Sequence, residues 1–259
     1  RLRDGVVTHY GLPEGMPGEF ARTVTEDARG AIWVGLDDGG VVRIDPDDGI
    51  ERFGREQGLA GNAVRTVAAT PDGAVWAAVY GQALQRIAPD GTIRTWTTRD
   101  GLPSDLVRVL LPDRDGGLLI GSEGGGLVRM HEGRFHTIPG TEGMDVRAVL
   151  EDGDGRLLLG TYSDGMLEVA DGRVSRRLTA ADGFPWLRVM SLYRDRREHL
   201  WIGTQHGLAR HDGTRTIELG DTAPAFSRAV FFITEDRDGH LWFTGNTGIT
   251  QVPFEALQV

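Results

Sequence analysis

The chain has 259 residues, 38 of them glycine, with 28 basic residues against 38 acidic ones, a net charge of −10 and no cysteine. Every basic residue is arginine, which excludes lysine Schiff bases and phosphate-loop lysines, while the absence of cysteine excludes thiolate nucleophiles, thiolate metal centres and disulfides. The acidic balance argues against nucleic acid and anionic membranes as partners, and no apolar run reaches the ~20 residues of a membrane helix.

In chain order, Gly5-Val6-Val7-Thr8-His9-Tyr10 reads as a strand, and a repeat begins after it. The segments Ile32-Trp33-Val34-Gly35, Val75-Trp76-Ala77-Ala78, Leu118-Leu119-Ile120-Gly121, Leu157-Leu158-Leu159-Gly160, Leu200-Trp201-Ile202-Gly203 and Leu241-Trp242-Phe243-Thr244 align, at spacings of 43, 43, 39, 43 and 41 residues. Each unit reads as four short strands. A valine-rich first strand such as Val146–Leu150 is followed by an Asp/Gly turn, the aromatic or aliphatic second strand and a glycine-rich loop. Third strands such as Val41–Ile44 and fourth strands such as Ile50–Phe53 and Ile93–Trp96 complete the unit. No segment keeps a 3.6-residue period, so helix should be almost absent. Four-stranded units of 40–45 residues in series predict an all-β, six-bladed β-propeller of antiparallel blades, built as a single domain. The units run over about 11–53, 54–96, 97–138, 139–178, 179–219 and 220–259. The last unit has only three strands, and residues 1–10 supply the fourth, closing the ring.

The junctions carry a second signature: Gly11-Leu12-Pro13, Gly58-Leu59-Ala60, Asp100-Gly101-Leu102-Pro103 and Asp182-Gly183-Phe184-Pro185. With the Gly turn, Leu-Trp-Ile-Gly-Thr and Gly-Leu-x-Arg, fullest in His199–Arg210, the pattern resembles the two-component regulator propeller repeat over essentially the whole chain. That resemblance implies a sensing propeller from the periplasmic or otherwise extracytoplasmic part of a bacterial signalling protein, although the N-terminus does not read as a secretory leader. Units three and four lack the tryptophan, unit two has Ala78 in the glycine position, and the family's sensors usually have more blades.

In such a blade the junctions and the loops between second and third strands share one face, and the Asp/Gly turns lie on the other. The turn face barely varies. The junction face carries Asp37, Tyr80, Glu123, Tyr162, Gln205 with His206, and Asn246 with Thr247, with Trp186 from a junction. Arginine also recurs at the entry to every first strand: Arg22, Arg65, Arg108 and Arg147 in strict register, Arg188 and Arg228 two and three positions early, with Met190 and Phe231 in the register positions. Six guanidiniums would suit carboxylate or phosphate. Equally, each could pair with a carboxylate of a neighbouring blade, for which Glu26, Glu151 and Glu235 are available.

These features favour a non-enzymatic module binding a small anionic molecule or oligosaccharide, or a protein partner, with no cofactor. Its ligand-binding candidates are the six arginines with Tyr80, Glu123, Tyr162, Trp186 and His206. The alternatives are a propeller lyase resembling virginiamycin B lyase, with His206 and Glu123 as acid and base, a metal-dependent lactonase, and a protein-interaction scaffold. The histidines show no metal-ligand spacing, and the tryptophans of the second strands read as packing between blades.

Overall fold

The computed structural model describes residues 2–3, 6–212, 215–220, 226, 228–246 and 248–257. The fold is all-β, a six-bladed β-propeller, and no α-helix occurs among the described residues. Two compact units, Arg1–Thr137 and Ile138–Val259, hold three blades each. Blade 1 consists of Ala21–Glu26, Ile32–Leu36, Gly40–Ile44 and Ile50–Phe53, antiparallel in sequence order. Blades 2 to 5 repeat that order, starting at Val64, Val107, Val146 and Val189. Blade 6 has three strands, Val230–Glu235, His240–Gly245 and Gly248–Pro253. The residues expected to complete it pair elsewhere: Val6–Val7 forms a two-stranded ribbon with Leu2–Arg3. Gly5, part of that expected strand, lies outside the described residues.

Four junctions, those leading into blades 1, 2, 3 and 5, fold as single 3₁₀ turns with the same chemistry, in which the side chain of the turn's last residue accepts the N–H of the residue before the turn. In the third, Asp100 accepts from the Thr97 backbone N–H at 2.8 Å, and Gly101 closes the turn at φ 96°, a left-handed conformation that favours glycine. The next residue drops into the core: Leu59, Leu102 and Phe184 are all buried. This corrects the junction of blade 1. There the equivalent triplet is Gly15-Met16-Pro17 rather than Gly11-Leu12-Pro13, since Gly15 takes the left-handed turn and Met16 is 7% exposed against 54% for Leu12.

Blades pack through apolar layers, with Trp33 and Phe53 meeting Val64, Val67 and Val75 of the next blade. Trp201 likewise meets Phe243, their ring centroids 6.0 Å apart. The turn face adds a fastening that the aligned motifs did not suggest. The first aspartate of the turn accepts the indole N–H six residues on, in Asp27–Trp33 (2.8 Å), Asp195–Trp201 (2.9 Å) and Asp236–Trp242 (2.8 Å). Its other oxygen accepts turn N–H groups, as from Arg29 and Ala31 in blade 1. Burial pushes the Asp236 carboxyl up, but the bonds from Trp242 and from the His240 and Asp238 N–H groups outweigh it and hold the group at about 2. A carboxyl held low stabilises the fold above its unfolded value near 3.9, and that contribution is lost as pH falls through the folded value. Urea midpoints should therefore fall between about pH 4 and about pH 2, and Trp242→Phe should flatten the fall.

The glycine that follows the tryptophan is needed because the next blade presses there. A Cβ on Gly203 would stand 2.6 Å from the Val230 carbonyl oxygen of blade 6 and would strike the Ser191 hydroxyl. Gly203→Ala should cost about 1–3 kcal/mol in chemical denaturation. Gly153→Ala, where a Cβ meets nothing within 4 Å, is the control expected to change stability little.

Candidate functional site

The arginine register has a backbone cause. In every blade the ladder between first and second strands skips one residue: Arg22 between Ala21 and Thr23, then Arg65, Arg108, Arg147, Met190 and Phe231 at the matching positions. A β-bulge leaves its extra residue out of the pairing and re-aims its side chain. The residue just after the second strand is pinned beside it by a backbone bond. Asp37 N–H donates to Phe20 O at 2.9 Å, Tyr80 to Ala63 at 2.8 Å, Glu123 to Leu106 at 2.9 Å and Tyr162 to Asp145 at 2.9 Å. Each acceptor lies two residues before a bulge arginine, so bulge and loop residue meet at one edge of the blade.

In the first unit these pairs form a row. Arg22 donates to Asp37 at 2.7 Å; this bond holds the arginine above its usual value and the aspartate below. Arg108 donates to Glu123 and, at 3.1 Å, to the Tyr80 hydroxyl. The guanidiniums of Arg65 and Arg108, from consecutive blades, lie over the Tyr80 ring at 4.7 and 4.8 Å. Arg65 makes no hydrogen bond or ion pair among the described residues, and its Nε is buried without a partner. Burial lowers its pKa, and the charges of Arg108 and Arg22 lower it further. The row thus holds three guanidiniums and two carboxylates, with Arg65 unanswered.

The second unit repeats the device around Tyr162. Arg147 and Arg188 each lie 4.7 Å over its ring, Arg147 bonds Asp145 at 2.5 Å, and Arg188 donates to Gln205. Although two positions early, Arg188 thus does for blade 5 what Arg108 does for blade 3. The loops are set by threonines. Thr161 Oγ1 donates to Gly165 O and accepts from Asp164 N–H, and Thr204 Oγ1 does the same with Gly207 O and His206 N–H. A cavity of about 410 Å³ opens beyond them, lined by Tyr162, Gln205, Asn246 and Arg228 with the bulge residues Met190 and Phe231 and with Ala229. Arg228 is exposed and, among the described residues, has no ion-pair or hydrogen-bond partner.

Several expectations change. The rim arginines that pair with carboxylates take them from their own blade or its junction, Arg22 from Asp37, Arg108 from Glu123 and Arg147 from Asp145. Glu235 serves the turn face instead, accepting the Arg196 N–H at 3.0 Å. Trp186 is half-buried against the core between blades 4 and 5, packed by the junction turn, and does not line the cavity. His206 is exposed, and Glu123 is engaged by Arg108. Thr247 lies outside the described residues. On the turn face Asp236, Asp238 and His240 bring ligand atoms within 4.8 Å of one another, a grouping that histidine spacing did not anticipate. Asp236 Oδ2 already accepts from Trp242, and Asp195 and His199 adopt the same arrangement in blade 5, so the grouping is the ordinary form of this turn.

Residues 183–206 match the family model described as two component regulator propeller. That stretch of blade 5 is similar to the two-component regulator propeller repeat. The matched stretch runs from the junction glycine of blade 5 to the loop that bears Gln205 and His206. No curated protein sequence matches the chain. Among solved structures, the extracellular domain assigned to a hybrid two component system of B. thetaiotaomicron has a TM-score of 0.80 at 19% identity, covering 96% of this chain and 35% of that one. This chain therefore spans about a third of that neighbour's length. Virginiamycin B lyase from Staphylococcus aureus, solved with quinupristin, has a TM-score of 0.70 at 17% identity over 91% of this chain and 85% of its own. PorZ, a surface component of the type-IX secretion system of Porphyromonas gingivalis, has a TM-score of 0.68 at 15% identity, covering 93% and 40%. Identities this low establish a shared fold.

The tyrosines tie consecutive blades together while keeping like charges in place. Tyr80→Leu should remove both cation–π contacts and cost about 1–2 kcal/mol. The loss should shrink at high salt, where repulsion between Arg65 and Arg108 is screened, as thermal melts across a salt series would report.

Proposed function

We propose that this chain is the sensing propeller of a bacterial signalling protein, placed outside the cytoplasm, which binds a small anionic molecule or acidic oligosaccharide on its junction face. The observation that carries the reading is the set of bulges, which turn Arg22, Arg65, Arg108 and Arg147 toward the loop residues. An unpaired side chain released from a ladder has no structural need to be arginine, as Met190 and Phe231 in the same slot demonstrate. The repeat and the fold shared with an extracellular domain support the sensing role. Among the described residues no helix is long and apolar enough to cross a membrane.

The site chemistry favours an anion over a neutral sugar. Both tyrosine rings are already engaged by guanidiniums, whereas Arg65 and Arg228 have no carboxylate of their own among the described residues. Beside Arg228 the amides of Gln205 and Asn246 offer donors and acceptors for hydroxyl groups, and Met190 and Phe231 an apolar wall. Charge-assisted bonds from arginine to a carboxylate are the strong polar contacts available to such an opening.

Calorimetry with oligogalacturonate and with the matching neutral oligosaccharide tests this. The acidic ligand should bind and the neutral one should not, affinity should fall with added salt, and Arg228→Ala should weaken binding about tenfold or more. Absence of heat with oligogalacturonate, small dicarboxylates and inorganic phosphate at millimolar concentration, or equal binding of the neutral sugar, would overturn the proposal.

A further inference from the structure

The turn face of blade 2 differs from that of blade 1 in a way that leaves charge unanswered. The two blades are related by a shift of 43 residues, so each position can be compared directly. In blade 1, Asp27 accepts the Trp33 indole N–H, and Arg43 is held by Asp45 at 2.7 Å and by Glu51, its cross-strand partner, at 3.3 Å. The corresponding positions of blade 2 are Thr70 for Asp27, Trp76 for Trp33, Arg86 for Arg43, Ala88 for Asp45 and Arg94 for Glu51. Three carboxylates are thus replaced by a hydroxyl, a methyl and a guanidinium. One returns: Asp72, where blade 1 has Arg29, bonds Arg86 at 2.5 Å.

Two donors are left over. Among the described residues the indole N–H of Trp76 has no acceptor, and Thr70 Oγ1 donates to Asp72 at 2.6 Å and to Ala74 O. Arg94 stands across the ladder from Arg86, like charge opposite like charge, and makes no ion pair among the described residues. Both line a cavity of about 540 Å³ between blades 2 and 3. Its floor is apolar: Trp76 and Trp96 pack at 5.0 Å between centroids, with Leu118 and Met130 beside them. The Arg94 guanidinium lies 4.7 Å over the Trp96 ring. The lip carries Glu132.

We infer that this cavity is a second binding site, independent of the junction face, for a planar aromatic carboxylate. The carboxylate would accept from the Trp76 N–H and from Arg94, standing in for the acidic groups that blade 1 supplies itself, while the ring packs beside the guanidinium against the apolar floor. Volume and lining suit a small amphipathic molecule, an apolar floor with a few fixed polar groups. The neighbouring cavity of about 330 Å³ between blades 1 and 2 is the internal comparison, since its indole N–H is already bonded and its arginine Arg43 is already ion-paired.

The test uses 2-naphthoate and its neutral analogue 2-naphthamide as probes, read by calorimetry and by tryptophan fluorescence. The carboxylate should bind one per chain and quench fluorescence, and the amide should not. Thr70→Asp and Arg94→Glu each restore the residue type of blade 1, and each should weaken binding about tenfold or more. Arg228→Ala should leave 2-naphthoate binding unchanged, which separates this site from the junction face. Absence of binding at millimolar 2-naphthoate, equal binding of the amide, or unchanged affinity in both variants would refute the inference. Arg94 is exposed, so its variant keeps the test decisive if Thr70→Asp impairs folding.

Discussion

The structure depends on how tightly one blade's first strand presses on the second strand of the blade before it. At Gly35 an added methyl would stand 2.6 Å from Thr23 Cγ2 and 2.9 Å from Val64 Cγ1, and at Gly160 it would stand 2.6 Å from Val189 Cγ1. In these blades that contact leaves no space for a side chain, so glycine stands there for steric rather than conformational reasons, whereas blades 2 and 6 carry Ala78 and Thr244 at the position. The first strand then has one residue more than its ladder uses, and the excess leaves as the bulge. Rim chemistry is therefore a by-product of blade packing. The apolar layers set the blade spacing, and that spacing fixes where the arginines stand.

The two faces divide the work. On the turn face, Asp27, Asp195 and Asp236 spend both carboxylate oxygens on the backbone and an indole, which suits a fastening that need not vary. On the junction face, the bulge and the residue pinned to it have no such obligations. Blade 2 crosses this division: with Thr70 at the fastening position, its turn face acquires free donors and can bind. Where a repeat leaves out one of its own acceptors, ligand chemistry can replace it.

Much of this was legible in the chain. Spacing of Ile-Trp-Val-Gly and its relatives gave the blade number, and the fourth strands Ile50–Phe53 and Ile93–Trp96 fall where the pattern put them. Arg22, Arg65, Arg108 and Arg147 were visible as a register, but a bulge cannot be seen in a valine-rich strand, since period-2 alternation does not reveal a skipped pair. Their partners were hidden for the same reason: the pin from Asp37 N–H to Phe20 O is a backbone bond with no sequence signature. The Asp–Trp fastening could have been found, because an aspartate precedes the tryptophan by six residues in three of the four units that have one. The junction of blade 1 was misaligned because Gly11-Leu12-Pro13 imitates a motif whose true copy, Gly15-Met16-Pro17, uses methionine as its buried residue.

The shared tyrosines have an electrical consequence. Each is a polarisable spacer that keeps two positive centres at a set separation on a molecule whose overall charge is −10. For the anionic ligand proposed above, a net negative chain with a few fixed positive centres would act on the encounter itself, raising the association rate and sharpening the orientation before any contact forms.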